Sequence, residues 1–473
     1  MIIPEQLKNK FINRDGIKVV KLEFPSLGLT INNDKIYEDS LSLEERLVNG
    51  DSIEFVGCLS SIFSIEIHDI TAKLKNQKIV VSMTMQEEST WIPLFVGYVD
   101  SVKTRLEDSW KGLTCYDELY YKANSVDVSA FYNSIFPAVT TTKTIKQFRD
   151  ALFSHLGIVQ EAQNLVNDNV VIKKEYDPKI LDALKVIKAI CQFNGVFGRI
   201  NRYGKFEYMT LSGGSEGLFP SQYTFPGNKT FPGGYSLSPD SERQTVFLYM
   251  DMECEDYNVA AIDKVQVRKN EDDEGTSFGT GSNIYVVQNN MFAYGLSSVV
   301  LNQVAKNIYS KVSGFSYFPF DATQIGYPFV EVGAKVQYII ADYTSGNGTV
   351  VNKSSFILSR RLKGIQNLTD EFIAKGNEFQ SVFISDLQTQ LDTIKRSGGG
   401  GGLDPDKYYT KDEMDRTLEE YKRETTEDAE EIVDTAISEM ETPTGLAFAS
   451  VYILPNAPRA DTLYGLTGGV ILL

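Results

Sequence analysis

The sequence predicts an α+β protein that is mainly β. Two β-barrel-like domains with α+β inserts are expected, then a glycine linker, a short coiled coil and a small C-terminal β segment. Three observations lead there. Short runs of alternating apolar and polar residues recur along the chain before residue 398, with turn residues between them. Islands of helical spacing interrupt them, around 145–156 and 296–312. Five consecutive glycines, Gly398, Gly399, Gly400, Gly401 and Gly402, then cut the chain. Such a run has no side chain to pack and loses the most backbone freedom on ordering, so it reads as a linker hinge.

The strands come first. Ile17–Phe24 alternates loosely, and Asn32-Asn33-Asp34 marks a turn. Ser52–Val56 follows a Gly50-Asp51 turn and reads as a strand. Phe63, Ile65 and Ile67 alternate with Ser64, Glu66 and His68. Ile79, Val81, Met83 and Met85 repeat the period, and Trp91–Val99 forms a further strand bent at Gly97. Strands this short and this regularly spaced point to a sandwich or small barrel.

The period changes after about residue 140. Ile145, Phe148, Leu152 and Leu156 fall at helical spacing, with Gly157 as C-cap. Asp177-Pro178 is expected to open a second helix, Asp177 as N-cap and Pro178 at the first helical position. Its apolar face is Leu181, Leu184, Ile187, Ile190 and Cys191, and it stops at Asn194-Gly195. A hairpin follows, Val196–Asn201 and Lys205–Leu211 about the turn Arg202-Tyr203-Gly204. Residues 212–240 read as loop. Strands resume at Thr245–Asp251, Lys264–Lys269 and Ile284–Val287. A helix carries Leu296, Val300, Leu301, Val304, Ile308 and Val312 and stops near Gly314. Strands are expected at Phe329–Val332, Ala334–Ala341 and Ser355–Arg360, then a helix over Phe379–Lys395.

Composition narrows the chemistry. At 473 residues the chain exceeds one core, and 42% hydrophobic with 11% aromatic residues is ample for packed β structure. No run of about eighteen apolar residues could span a bilayer. The first sixteen residues do not read as a secretory signal. Cys58, Cys115, Cys191 and Cys254 are widely spaced and form no CxxC, which fits buried free thiols in a protein made in a reducing cytoplasm. The two histidines, His68 and His155, are too far apart in sequence to suggest a zinc site or a triad. His68, on the polar side of its strand, reads as solvated or locally hydrogen-bonded. There is no GxSxG, HExxH, Walker loop or dinucleotide fingerprint. The acidic loop Asn270–Gly275 departs from calcium-loop spacing; a solvated loop is the default and Ca²⁺ the other reading. A glycosidase carboxylate pair is not singled out among 63 acidic residues. No catalytic residue, cofactor or metal is expected. The net charge of −17 argues against a nucleic-acid binder, though not against a channel through which DNA slides.

Four stretches resemble the tail-hub family of bacteriophages, the baseplate hub and tail-associated (tail-tip) proteins. They are FVGYVDSVKTRLEDSWKGLTCYD at 95–117, the helix–hairpin unit Asp182–Leu211 with NGVFGRINRYGKFEYMTL, IYVVQNNMFAYG at 284–295, and SFILSRRLKGIQNLTDEFIAKG at 355–376. The resemblance covers roughly residues 1–395. It implies a homotrimer in which two related barrels per chain give a pseudo-sixfold ring matching a hexameric tail tube. The ring would surround the channel for DNA and the tape-measure protein.

Beyond the glycines, YYTKDEMDRTLEEYKRE is similar to a segment that precedes coiled coils in phage fibre and tail proteins. Met414, Leu418, Tyr421, Thr425, Ala429, Ile432, Ala436 and Met440 form the stalk seam, spaced four and three apart with an eleven-residue repeat. Such a repeat gives a slight or right-handed supercoil. Between Tyr409 and Met440 twelve acidic residues face four basic ones, so eight of the seventeen net negative charges lie there. With Thr425 and Ala429 in the seam, the helix forms a trimer only where the body already gathers three chains. A solvated single helix or a linker is the alternative. The tip, AFASVYILPNAPRADTLYGLTGGVILL, resembles small hairpins at the ends of phage tail proteins. Its apolar end, Val470, Ile471, Leu472 and Leu473, needs covering by trimer mates or by another tail protein.

The expected domains are 1–130 (first barrel), 131–212 (helix–hairpin insert), 213–397 (second barrel), 398–408 (linker), 409–441 (stalk) and 442–473 (tip). The expected function is that of a non-enzymatic structural hub in a virion tail tip or baseplate. It would join the tail tube to distal tail proteins and enclose the DNA exit channel. The alternatives are a tail-associated envelope-degrading enzyme or receptor-binding protein, and the hub of a phage-like contractile injection particle.

Overall fold

The computed structural model describes residues 3–13, 16–49, 53–105, 109–174, 178–211, 249–270, 272–314, 316–342 and 349–379. All of them belong to one compact unit, Met1–Thr393. Helix α1 (Glu5–Asn13) leads into β1 (Lys18–Phe24), β2 (Leu29–Asn32), β3 (Ser42–Arg46), β4 (Ile62–Ile67), β5 (Lys78–Met85), β6 (Ile92–Arg105) and β7 (Trp110–Tyr116). An α+β segment follows, with α2 (Glu118–Lys122), α3 (Ser129–Ile135), β8 (Thr142–Thr144), α4 (Ile145–Leu156), β9 (Val171–Lys173), α5 (Ala183–Asn194), β10 (Phe197–Ile200) and β11 (Phe206–Met209). Next come β12 (Tyr249–Cys254), β13 (Lys264–Val267), β14 (Thr276–Gly279), β15 (Ile284–Val287) and α6 (Ser298–Val312). The last strands are β16 (Phe320–Ile325), β17 (Lys335–Asp342), β18 (Thr349–Phe356), β19 (Ser359–Lys363) and β20 (Thr369–Ala374).

Eleven strands make one sheet in the order β12-β16-β20-β19-β3-β4-β7-β6-β5-β1-β2. Each neighbouring pair is antiparallel. The mainly β, α+β class is therefore met. Barrel closure is not seen: among the described residues no sheet closes on itself. Strands from both expected barrels share the large sheet, joined where β3 pairs with β19, Arg46 opposite Ser359 and Ser42 opposite Lys363.

Alternation is read directly into burial in β4, where Phe63, Ile65 and Ile67 are buried and Ile62, Ser64 and Glu66 are partly exposed. The expected C-cap of α4 is present, and the structure adds an N-terminal cap that the sequence reading did not single out. Thr144 accepts from the Gln147 amide and the Gln147 side chain answers it, a capping box, and Gly157 closes the helix at φ 65°. Gly195 closes α5 in the same way, and β10–β11 form the expected hairpin.

Five local expectations need correction. Helix α5 starts at Ala183 with Asp182 as N-cap, not at Asp177-Pro178. The Leu181 amide donates to Asp127 and the Ala183 amide to the Val126 carbonyl, so residues 181–183 are held extended against 126–128. Ile53–Val56 is not a strand. It turns so that Gly57 makes a single parallel bridge to Gly198, with Cys58 N donating to Gly198 O at 2.6 Å. Phe329–Val332 is a turn because arginine side chains take its carbonyls, as described below. Ser355–Arg360 is divided between β18 and β19, because Ile357 N still donates to Ala334 O beside β17 whereas Leu358 N donates to Ile373 O of β20. Cys254 is exposed on edge strand β12, whereas Cys58, Cys115 and Cys191 are buried free thiols. The loop at 212–240, residues 380–395 of the expected last helix, and everything from 398 to 473 lie outside the described residues.

Gly97 has a different role from the one expected. The pairing irregularities of β6 fall at Val81/Ser82 in β5 and at Val99/Ser101, on either side of it. A Cβ at Gly97 would overlap the Tyr116 carbonyl oxygen and the Phe95 ring. Gly97→Ala is expected to destabilise by about 1–3 kcal/mol through overpacking, read from the urea midpoint. An unchanged midpoint would show that the strand can move aside.

The apolar interior divides into two clusters. One contains Leu7 and Phe11 of α1 with the inward residues of β1, β4, β5 and β6. The other contains the helices of the α+β segment, β13, β15, α6 and the inward residues of β16 and β17.

Candidate functional site

Three neighbouring strands cross from one cluster to the other, and each carries a charge at the crossing. In β3 and just beyond it, Leu43 belongs to one cluster and Leu47 to the other, with Glu45 between them. Leu362 and Leu358 flank Arg360 of β19 in the same way, and Leu368 and Phe372 flank Asp370 of β20. Period two puts all nine side chains on the buried face. The β10–β11 hairpin inserts Arg199 from β10 and Arg202 from its turn, and the turn after β16 supplies Glu331.

The result is a buried ionic seam. Arg360 grips Asp370 with two parallel bonds, Nε to Oδ1 at 2.8 Å and Nη2 to Oδ2 at 2.9 Å. Its Nη1 reaches Glu45 at 3.2 Å. Arg202 Nη2 donates to the same Glu45 oxygen at 3.0 Å, and Arg199 Nη1 to the other at 3.5 Å. Arg199 also bonds Glu331 and, through Nε at 2.6 Å, Glu207. The remaining donors fix the backbone: Arg360 binds the carbonyls of Tyr327 and Val330, and Arg202 those of Pro328 and Val330. This is why 327–332 is a turn rather than a strand. Its carbonyls are already satisfied by guanidinium groups.

The electrostatics follow from burial set against pairing. Burial alone would push Glu45 up, but Arg202, Arg360 and Arg199 outweigh it and hold the carboxyl below its usual range. Glu331 is likewise opposed by burial, yet Arg199 and Arg202 bring it to about 2. For Asp370, burial wins over Arg360 and the Tyr327 amide and raises it to about 6. A one-residue slip of β19 would turn Arg360 away from buried Asp370 and take one of three arginines from Glu45, so the seam specifies register as well as contact.

The opposite face of the same strands is solvated. Arg361 pairs with Glu44 and Glu371, and Lys363 with Glu371 at 2.5 Å. Glu44, Arg46, Arg361, Glu371 and Lys375 line a shallow groove of about 280 Å³ there. A second buried network lies in the α+β segment, where Arg149 binds Asp168 with two 2.8 Å bonds and also reaches Gln160 and the Gln163 carbonyl. In both networks the buried charges are engaged by one another and by backbone. The chemistry they support is positioning.

His68 Nδ1 lies 2.9 Å from Asp69 Oδ2, the local hydrogen bond expected, and His155 stacks on Phe131. In the acidic loop, Asp273 accepts from the amides of Lys269 and Gly275. Among the described residues no group of three or more His, Cys, Asp or Glu is placed to hold a metal ion, and no helix is long and apolar enough to cross a membrane. The hinge glycines Gly398–Gly402, the stalk seam Met414–Met440 and the tip residues Val470–Leu473 lie outside the described residues. The sequence reading missed the seam. Its signal was a charge on the apolar phase of three strands: Leu43-x-Glu45-x-Leu47, Leu358-x-Arg360-x-Leu362 and Leu368-x-Asp370-x-Phe372.

No family model matches the chain, and no curated protein matches it. Among solved structures it is similar to the 43 kDa tail protein of prophage MuSo2 from Shewanella oneidensis, at 11% identity and TM-score 0.43, over 76% of this chain and 98% of that one. It is similar to the tail protein from Neisseria meningitidis MC58, at 13% identity and TM-score 0.41, over 76% and 97%. It is also similar to prophage tail protein gp18 from Listeria monocytogenes EGD-e, at 9% identity and TM-score 0.41, over 80% and 100%.

Proposed function

We propose that this chain is a structural protein of a phage tail, the hub of its tip or baseplate. Three copies would form a ring between the tail tube and the distal tail proteins, around the exit channel for DNA and the tape-measure protein. The observation that carries the reading is the ionic seam. It unites the two apolar cores under one continuous sheet, and it engages its charges in holding that sheet together. The four stretches of sequence that resemble tail hubs support the same reading. So does the layout of a large body, a glycine hinge, an acidic stalk and an apolar tip. In this reading the stalk and tip dock a fibre or tip protein, and DNA passes without being held, consistent with an acidic chain.

The test is the solution mass by light scattering of the full chain and of a version ending at residue 396. Trimers in both are the expected result and place assembly in the body. A trimer only with the stalk present would make the coil the organiser and favour a fibre-like adhesin. Monomers in both, even after mixing with the tail-tube protein, would overturn the ring.

A further inference from the structure

We propose that Cys58 and Cys191 form a latent oxidative cross-link, a disulfide that the reduced fold holds ready to close. It is independent of the hub reading. The two Sγ atoms lie 3.7 Å apart in the interior, although 133 positions separate the residues. A disulfide needs about 2.05 Å, so about 1.7 Å of closure remains.

The surroundings are shaped to place the sulfurs side by side. Cys58 is held in the left-handed region at φ 54°, unusual for a residue with a Cβ. The bonds from Cys58 N to Gly198 O and from Gly198 N to Val56 O keep it there. The Cys58 thiol donates to the Val56 carbonyl at 3.2 Å, which orients it within the cleft. Position 198 is glycine, and a Cβ there would lie 2.7 Å from the Cys191 sulfur and 2.8 Å from the Cys58 sulfur. Only glycine leaves room for both. Cys115 and Cys254 are not part of this pair: Cys115 lies in the other core and Cys254 is exposed on β12.

The chemistry balances with a peroxide as oxidant. One thiol gives up its proton, its thiolate attacks a peroxide oxygen and breaks the O–O bond to give a sulfenic acid, and the hydroxide released takes up that proton and leaves as water. The second sulfur attacks that sulfenic sulfur, expelling hydroxide, which leaves as water with the second thiol proton. Two thiols and one hydrogen peroxide become one disulfide and two waters. Burial keeps the Cys191 thiol well above its usual pKa, which slows thiolate formation there and makes closure slow. The cross-link would tie the 53–58 turn to α5.

The experiment uses the full chain carrying Cys254→Ser, which removes the exposed thiol. The folded protein is treated with hydrogen peroxide, quenched with catalase, unfolded and alkylated with iodoacetamide. The expected product has lost two hydrogens, is alkylated at Cys115 alone, and yields a peptide pair joined through Cys58 and Cys191. Its thermal midpoint rises by about 5 °C, because a long loop is closed in the unfolded chain. Adding Cys191→Ala abolishes both the mass change and the shift. Free alkylation of Cys58 and Cys191 after peroxide overturns the proposal. So does their conversion to sulfinic acid, or a cross-link that forms only in denaturant.

Discussion

Arg360→Met is expected to destabilise the protein by about 3–5 kcal/mol, the cost of removing one partner from a buried ion pair. The substitution keeps most of the side-chain volume, so little of the loss comes from packing. It leaves Asp370 and Glu45 in the interior without their shared guanidinium and frees the carbonyls of Tyr327 and Val330. The control is the next residue. Arg361 projects to the other face, its side chain 43% exposed, with Glu44 and Glu371 as partners. Arg361→Met should cost less than about 1 kcal/mol, as exposed pairs do. Adding Asp370→Leu to Arg360→Met should recover part of the loss, since it removes a stranded carboxylate and leaves an apolar pair. Urea unfolding of the wild type, Arg360→Met, Arg361→Met, Asp370→Leu alone and the double variant measures all of this. Equal losses at 360 and 361 would mean that the seam contributes no more than a surface pair. If Asp370→Leu adds its own full cost, the two residues are not coupled.

The seam also shows what was legible in the sequence and what was not. Where an element's chemistry is local, the reading succeeds. Phe63, Ile65 and Ile67 state the phase of β4 by themselves, and Gly157 ends α4 where expected. Where a distant residue decides, it fails. Phe329–Val332 has the composition of a strand, but its carbonyls belong to Arg202 and Arg360. Asp177-Pro178 is a good helix opening, but Asp127 and Val126 hold residues 181–183 extended, so the helix starts at Ala183. Glu45, Arg360 and Asp370 were invisible for a related reason. Alternation assigns charged residues to solvent, and a charge on the apolar phase makes sense only once three strands with opposite signs are known to be neighbours. Strand order across the β3–β19 junction is that missing fact, and no local pattern carries it.

Stability should fall as pH rises from about 4 to 8, and Asp117 should be a large part of the reason. Its carboxyl is buried at the N-cap of α2, accepting from the Ser61 amide at 2.7 Å and the Leu119 amide at 3.0 Å. Burial raises its pKa from 3.8 to about 7, and the hydrogen bonds from Ser61, Leu119 and Ser60 only partly oppose it. Among the described residues no cation pairs with it: Lys78 and Lys122 reach the neighbouring Glu118 instead. The folded-state value lies above the unfolded one. The folded protein therefore holds a proton that the unfolded chain releases, and the stabilisation is complete below about pH 4 and lost as pH rises through about 7. A shift of this size is worth up to about 4 kcal/mol across the whole span, of which about 1 kcal/mol falls between pH 6 and 8. Asp370, raised to about 6, adds a slope of the same sign that ends at lower pH. Most of the slope between pH 6 and 8 is therefore that of Asp117, with a smaller part from Asp370 close to pH 6. Asp117→Asn, neutral at every pH, should flatten the curve from pH 6 to 8 and compare best with the wild type at pH 8, where the wild-type carboxylate is charged and buried. Asp127→Asn, at a carboxylate that accepts from Leu181 and Ser129 and whose pKa is lowered, should leave that interval unchanged. Chemical denaturation at several pH values decides the matter, and a wild-type curve already flat between pH 6 and 8 would rule out a proton on Asp117.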